Sequence, residues 1–148
     1  MPIEIERKFL VKNLDFIKEC THKKQIEQGY LSKDPKRTVR IRIEEKKAFL
    51  TIKGETFDNG TSRIEVENEI SIKDALELMK LCLPNPIKKI RYIINKNDFI
   101  FEVDVFKGEN EGLIIAELEL NSKNSRFPKP DWLGKEVTGQ VEFYNSQL

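Results

Sequence analysis

The chain has 148 residues, 39% of them hydrophobic and 34% charged, with 26 Lys and Arg against 25 Asp and Glu for a net charge of +1. This length suits one domain, and the apolar content lies above the disordered range. A charged fraction well above the usual ~25% that nevertheless cancels excludes the net basic excess of a general nucleic-acid or membrane-surface binder.

The opening residues, MPIEIERKFL, carry acids where a secretory signal has a basic start and an apolar stretch. No run approaches the ~18 apolar residues of a membrane helix. A soluble, cytoplasmic protein with no membrane partner is expected. Cys20 and Cys82 are too few and too far apart for a disulfide framework or a thiolate metal site, and His22 stands without a partner histidine in a polar string.

Alternation with period two dominates and predicts strands. In the first, Ile3, Ile5, Phe9 and Val11 fall on one face and Glu4, Glu6 and Lys8 on the other. A short helix is expected over Leu14 to Cys20, then a strand over Gln25 to Leu31. Val39, Ile41 and Ile43 next oppose Arg40, Arg42 and Glu44; Ala48, Leu50 and Ile52 oppose Thr51 and Lys53. After the turn residues Asp58-Asn59-Gly60, the apolar Ile64, Val66 and Ile70 oppose Arg63, Glu65, Glu67 and Glu69. A helix from Ile72 to Leu83 follows, with Ser71 as N-cap and Pro84 and Pro86 as stops. Ile90, Tyr92 and Ile94 then oppose Lys89 and Arg91, Phe101, Val103 and Val105 oppose Glu102 and Asp104, and Ile114, Ala116, Leu118 and Leu120 oppose Glu117 and Glu119. The stretch from Pro128, with Trp132, Phe143 and Tyr144, is expected to pack across the outside. Links this short favour an antiparallel sheet.

Two architectures fit the alternation. One is an open twisted sheet with a solvated charged face. The other is an eight-stranded closed β-barrel, a tunnel with its charged face inward and a few helices packed outside. The sorting of charge by strand favours the barrel. Acids dominate the first, fifth, seventh and eighth strands, while Arg40, Arg42, Lys53, Lys89 and Arg91 dominate the others. Closure would gather carboxylates and cations around one cavity, which suits a metal–polyphosphate ligand. Magnesium takes one or two carboxylates plus phosphate oxygens, and arginine forks match phosphates. The chain is thus read as a mainly antiparallel α+β protein forming one domain over residues 1–148.

Glu4-Ile5-Glu6-Arg7-Lys8 resembles the Glu-x-Glu-x-Lys signature of the CYTH, or triphosphate tunnel metalloenzyme, family. Its companions follow in the family's order: Gln28-Gly29-Tyr30-Leu31, Arg40-Ile41-Arg42, Thr51-Ile52-Lys53-Gly54, Arg63-Ile64-Glu65-Val66-Glu67, Lys89-Ile90-Arg91-Tyr92, Phe101 to Phe106, Glu117-Leu118-Glu119 and Trp132 to Thr138. The chain most resembles the short, single-domain bacterial members. It departs at the end, where a base of the family's closing segment is replaced by Glu142.

The resemblance implies a divalent metal, Mg2+ or Mn2+, held by Glu4, Glu6 and Glu119 with Glu117 and Asp104 close behind. It implies phosphate binding by Lys8, Arg40, Arg42, Lys53, Lys89 and Arg91. Glu65 and Glu67 would sit beside them and order water or a second metal. The expected reaction is hydrolysis of inorganic triphosphate to diphosphate and phosphate, with Lys8, Glu65, Lys53 and Arg91 as the catalytic set. Related activities are thiamine triphosphate hydrolysis and ATP cyclisation; a non-catalytic polyphosphate or nucleotide sensor is the reading from another class. Phe9, Tyr92 and Phe101 alternate outward, and the absence of an aromatic surplus on the charged faces favours a substrate with no organic part. The expected partner is a small-molecule triphosphate, not nucleic acid, and a homodimer is left open.

Overall fold

The computed structural model describes residues 2–148. Its strands are β1 (Ile3–Val11), β2 (Cys20–Ser32), β3 (Arg37–Glu44), β4 (Lys47–Gly54), β5 (Ser62–Ile70), β6 (Ile87–Lys96), β7 (Phe99–Phe106), β8 (Ile114–Glu119) and β9 (Leu133–Glu136). Helix α1 (Phe16–Glu19) lies between β1 and β2, and α2 (Ile72–Met79) between β5 and β6. The strand order β5-β4-β3-β2-β6-β7-β8-β1 is closed by a further β5–β1 pairing, so eight antiparallel strands form a barrel. Short turns make this possible. Asn97 and Asp98, with φ of 47° and 70°, form the two-residue link between Lys96 and Phe99, the φ > 0 pair that a tight hairpin turn requires.

β1 carries the seam. Along one edge it pairs with β8 from Glu6 to Leu10. Its other edge is taken first by β5, over Ile3 to Ile5, and then by β9, at Phe9 and Val11. The ninth strand was not expected from the sequence; four residues containing Gly134 and Lys135 carry too little alternation to announce one.

The outward faces meet the core. Phe9, Phe101, Val103, Ala116, Leu118 and Ile94 pack with Phe16 of α1 and with Trp132 and Leu133 from the segment before and within β9. Trp132 lies edge-to-face against Phe101 and Phe16, at 5.5 and 5.9 Å between centroids. On the opposite wall Ala75 of α2 seats on Ile41 and Ala48. Ser71 caps α2 by accepting from the Asp74 amide at 3.0 Å.

Several boundaries differ from expectation. β2 begins at Cys20 rather than Gln25, because the polar string Thr21 to Lys24 is recruited by pairing with Tyr92 and its neighbours on β6. The same recruitment confines α1 to four residues. α2 ends at Met79, since the chain turns so that the Leu83 amide reaches the Tyr30 carbonyl at 2.8 Å. The largest correction concerns the tail. Trp132 packs outside, but the last residues enter one end of the barrel. There Phe143 and Leu148 pack against the inward-facing Tyr30, Ile87, Phe106 and Ile115. The glycines make this approach: a Cβ on Gly60 would lie 2.3 Å from the Cα of Gly139.

Candidate active site

Period two places one charged face of the strands inside the barrel, while residues of the opposite parity such as Arg7, paired with Glu136, point outward. Lys8, Arg40, Lys53, Lys89 and Arg91 are all at most 9% exposed, together with Glu4 at 8% and Asp104 at 0%. Burying so many charges is tolerable only because they are paired. Both oxygens of Asp104 are taken: Lys89 Nζ lies 2.7 Å from Oδ2, and Arg91 donates to Oδ1 at 2.8 Å and Oδ2 at 3.0 Å. Lys53 Nζ lies between Glu4 (3.3 Å) and Glu65 (3.1 Å). Lys8 Nζ is 3.7 Å from Glu117. Arg40 and Arg42 both reach Glu67.

The acids are crowded unevenly. Burial and the neighbouring Glu117 and Glu4 carboxylates push the Glu6 carboxyl well above the ordinary range. Glu117 is held well below it: burial opposes this, but Lys8, Arg91 and Lys89 and a hydrogen bond from Glu6 outweigh it. The two carboxyls are thus pushed in opposite directions. A second pair repeats the pattern. Burial and Glu4 raise Glu65 to about 7, while Lys53, Glu65 and Arg63 overcome burial to lower Glu4 to about 2. Glu119 stands at the barrel rim, exposed as a residue but with its carboxyl partly enclosed, and that enclosure together with Glu4 and Glu102 raises its pKa. Among the cations, burial lowers Lys89 to about 8 despite Asp104.

The site residues expected from the sequence therefore divide. Glu4, Glu6, Lys8, Arg40, Lys53, Lys89, Arg91, Asp104 and Glu117 share the interior; Arg42 and Glu65 flank it and Glu119 stands at the rim. Among the described residues no three His, Cys, Asp or Glu side chains converge as a metal cage. What the lumen offers is the Glu6–Glu117 carboxyl pair. A donor set of two carboxylates fits magnesium, which completes its shell with phosphate oxygens and water.

Other residues line the same cavity. Arg63 lies there as its strand's alternation predicts, Tyr144 comes in from the tail expected outside, and Tyr30, Thr38, Asn145 and Ser146 join them. Gln28 and Lys89 donate to Asn145 Oδ1 at 2.9 and 2.7 Å, and Lys8 donates to the Phe143 carbonyl at 3.3 Å. Parity from Gln28 could have placed Tyr30 inside; the tail that carries Asn145 has no strand period to place it. Rings also face the cations, contrary to expectation. Lys89 lies 5.5 Å from the Phe106 ring, Arg42 5.4 Å from Phe49, and Lys8 and Arg63 5.3 and 5.4 Å from Tyr144.

Comparison with known proteins places this geometry. The chain is 44% identical over 146 residues to an inorganic triphosphatase from Acetivibrio thermocellus, covering 98% of this chain and 92% of that relative. It is 33% identical over 150 residues to an inorganic triphosphatase from Nitrosomonas europaea, covering 98% and 95%. The crystal structure of the inorganic triphosphatase NE1496 superposes with a TM-score of 0.67 at 31% identity, covering 97% of this chain and 92% of that one. The model of the CYTH domain matches residues 2–145, and the chain belongs to the CYTH family.

Proposed function

We propose that this protein is a divalent-metal-dependent inorganic triphosphatase that cleaves tripolyphosphate to diphosphate and phosphate, acting as a single tunnel domain. The observation that carries this reading is the convergence of Lys8, Arg40, Lys53, Lys89 and Arg91 on one lumen, with Arg42 at its flank and the Glu6 and Glu117 carboxyls facing them. The identity to two inorganic triphosphatases supports it.

Arg40, Lys89 and Arg91 would hold the phosphate chain, replacing some of their present carboxylate partners with phosphate oxygens. The buried Nε of Arg40 has no hydrogen-bond partner and is available to such an oxygen. Glu6 and Glu117, with Glu4 and Glu119 near them, would hold Mg2+ or Mn2+, which when bound neutralises charge on phosphate oxygens. Water attacks the terminal phosphorus, the bridging P–O bond breaks, and diphosphate leaves. Glu65, its carboxyl raised to about 7 by burial and by Glu4, suits acceptance of the water's proton. Lys8, Lys53 and Arg91 stabilise the charge that develops on the transferring and leaving oxygens. Asp104 serves to orient Lys89 and Arg91, both of its oxygens being engaged by them.

Because aromatic rings do face the lumen, the preference for a bare triphosphate rests on the density of cations and on the relatives, not on a lack of aromatics. The test is phosphate release from tripolyphosphate, ATP and thiamine triphosphate at equal concentration with magnesium or manganese. Tripolyphosphate is expected to turn over fastest. Cyclic AMP as the main product from ATP would replace this reading with a cyclase, and no turnover of any of the three would replace it with a binding protein.

A further inference from the structure

Arg40 and Arg42 stand two residues apart on the inward face of β3, about 7 Å along the strand, yet one carboxylate oxygen collects both. Glu67 Oε2 lies 3.4 Å from Nη2 of Arg40 and 3.4 Å from Nη2 of Arg42. Thr51 Oγ1 donates to the same oxygen at 2.7 Å and in turn accepts from Arg40 Nη2 at 3.3 Å. Register explains the assembly: Arg40 pairs with Thr51 across β3–β4, and Thr51 pairs with Glu67 across β4–β5, so the three side chains lie in one rung. Among the described residues Glu67 is the one acid within ion-pair distance of Arg40, whereas Arg42 also has Glu44 at 3.2 Å. The two guanidiniums repel, and Arg42 is lowered by burial and then by the charges of Arg40 and Arg91. Something must hold them side by side. The clamp engages the Nη2 ends and leaves Nε of Arg40 without a partner, while Nε of Arg42 lies 3.2 Å from Glu44 Oε2.

We propose that Glu67, steadied by Thr51, is a positioning residue that fixes Arg40 and Arg42 as a paired receptor for adjacent phosphate groups. The proposal rests on the triphosphatase reading of the same site. Glu67 itself carries no phosphate, its charge matching the ligand's, and it is neither base nor metal ligand here. Its role is to keep two rotamer-rich cations from scattering, so that their order is not lost anew with each binding event.

The test is calorimetric binding of tripolyphosphate without metal, followed by steady-state turnover with magnesium, in Glu67→Gln, Thr51→Val and the Arg40→Lys/Arg42→Lys double variant with and without Glu67→Gln. Glu67→Gln is expected to weaken metal-free binding about tenfold, equivalent to about 1.4 kcal/mol, and to raise KM while leaving kcat and the magnesium requirement in place. Thr51→Val should act in the same direction but less, and Glu67→Asp should restore part of the loss. In the lysine background Glu67→Gln should have little further effect, because a residue acting through the arginine forks has nothing left to position. A raised magnesium requirement, or a full additional loss in the lysine background, would overturn the proposal in favour of metal ligation or an independent role. Binding unchanged in Glu67→Gln would overturn it outright. Absence of turnover in the wild-type protein would instead strike the triphosphatase reading, and metal-free binding would still judge the clamp.

Discussion

Asp104→Asn tests the charge balance of the lumen most directly. Asp104 is wholly buried and has both oxygens on cations, Lys89 at 2.7 Å and Arg91 at 2.8 and 3.0 Å. Asparagine keeps the shape but removes the charge, and its NH2 group must face one of two donors. Deleting one partner of a buried ion pair costs about 3–5 kcal/mol, because the other charge stays buried and uncompensated. For a domain of this size each kcal/mol moves the melting temperature by about 2–4 °C, so the variant should melt roughly 6–20 °C lower. Tripolyphosphate supplies the missing negative charge. In the wild-type protein, ligand at about 100 times its dissociation constant adds about 2.7 kcal/mol, and the gain at matched saturation should be larger in the variant. Differential scanning calorimetry with and without tripolyphosphate measures both quantities. A variant that melts within about 2 °C of wild type, or that gains no more from the ligand, would refute the view that Asp104 holds the cations in place of phosphate.

Other outcomes follow from neighbouring residues. Glu6→Gln keeps the shape of a side chain whose carboxyl burial and its acidic neighbours push toward the neutral form, so the urea midpoint should change little, while metal-dependent phosphate release should fall by about 100-fold; retention of most of the rate would move the metal elsewhere. Lys89, lowered by burial from 10.5 to about 8, binds fewer protons in the fold than in the unfolded chain between those values, so its contribution to stability rises with pH across that window. A polyanion favours the charged amine, so calorimetric affinity for tripolyphosphate should decline as pH rises above about 8, and an equal decline in Lys89→Met would exclude Lys89 as its source. Gly29→Ala would place a Cβ 2.9 Å from Cys82 Sγ and Met79 Sδ, an overpacking worth about 1–3 kcal/mol; the melting temperature should fall while KM stays put, since α2 lies outside the barrel, and a change in KM alone would contradict that separation.

The barrel was legible because its strands alternate without interruption. A polar face made almost wholly of Glu, Asp, Lys and Arg has few stable settings, and Lys8 opposite Glu117 or Arg91 opposite Asp104 is the pairing that such faces require. What escaped was whatever depends on tertiary context. The first residues of β2 have no apolar pattern and owe their strand to β6. β9 is too short to carry a period. Tyr144 and Asn145 reach the lumen through a tail whose path is set by two glycines meeting at Gly60 and Gly139, a contact with no signature at either site. Phe9, Tyr92 and Phe101 turn outward as their strands predict; Phe49 and Phe106 share the inward parity of Thr51 and Asp104, and an apolar residue on an otherwise charged face breaks the alternation that marks the lumen.

The ring is closed by three residue pairs between β1 and β5, against eight between β3 and β4 and eight between β6 and β7. A closed wall can be no more durable than its shortest joint, and local opening begins where the fewest backbone bonds must part. Amide exchange should therefore run unevenly around the circumference, with Ser62 to Ile64 losing protection well before Arg40 to Ile43. Under force or mild denaturant the cylinder should unzip lengthwise at this joint into a curved sheet, rather than shedding strands one at a time from its two ends.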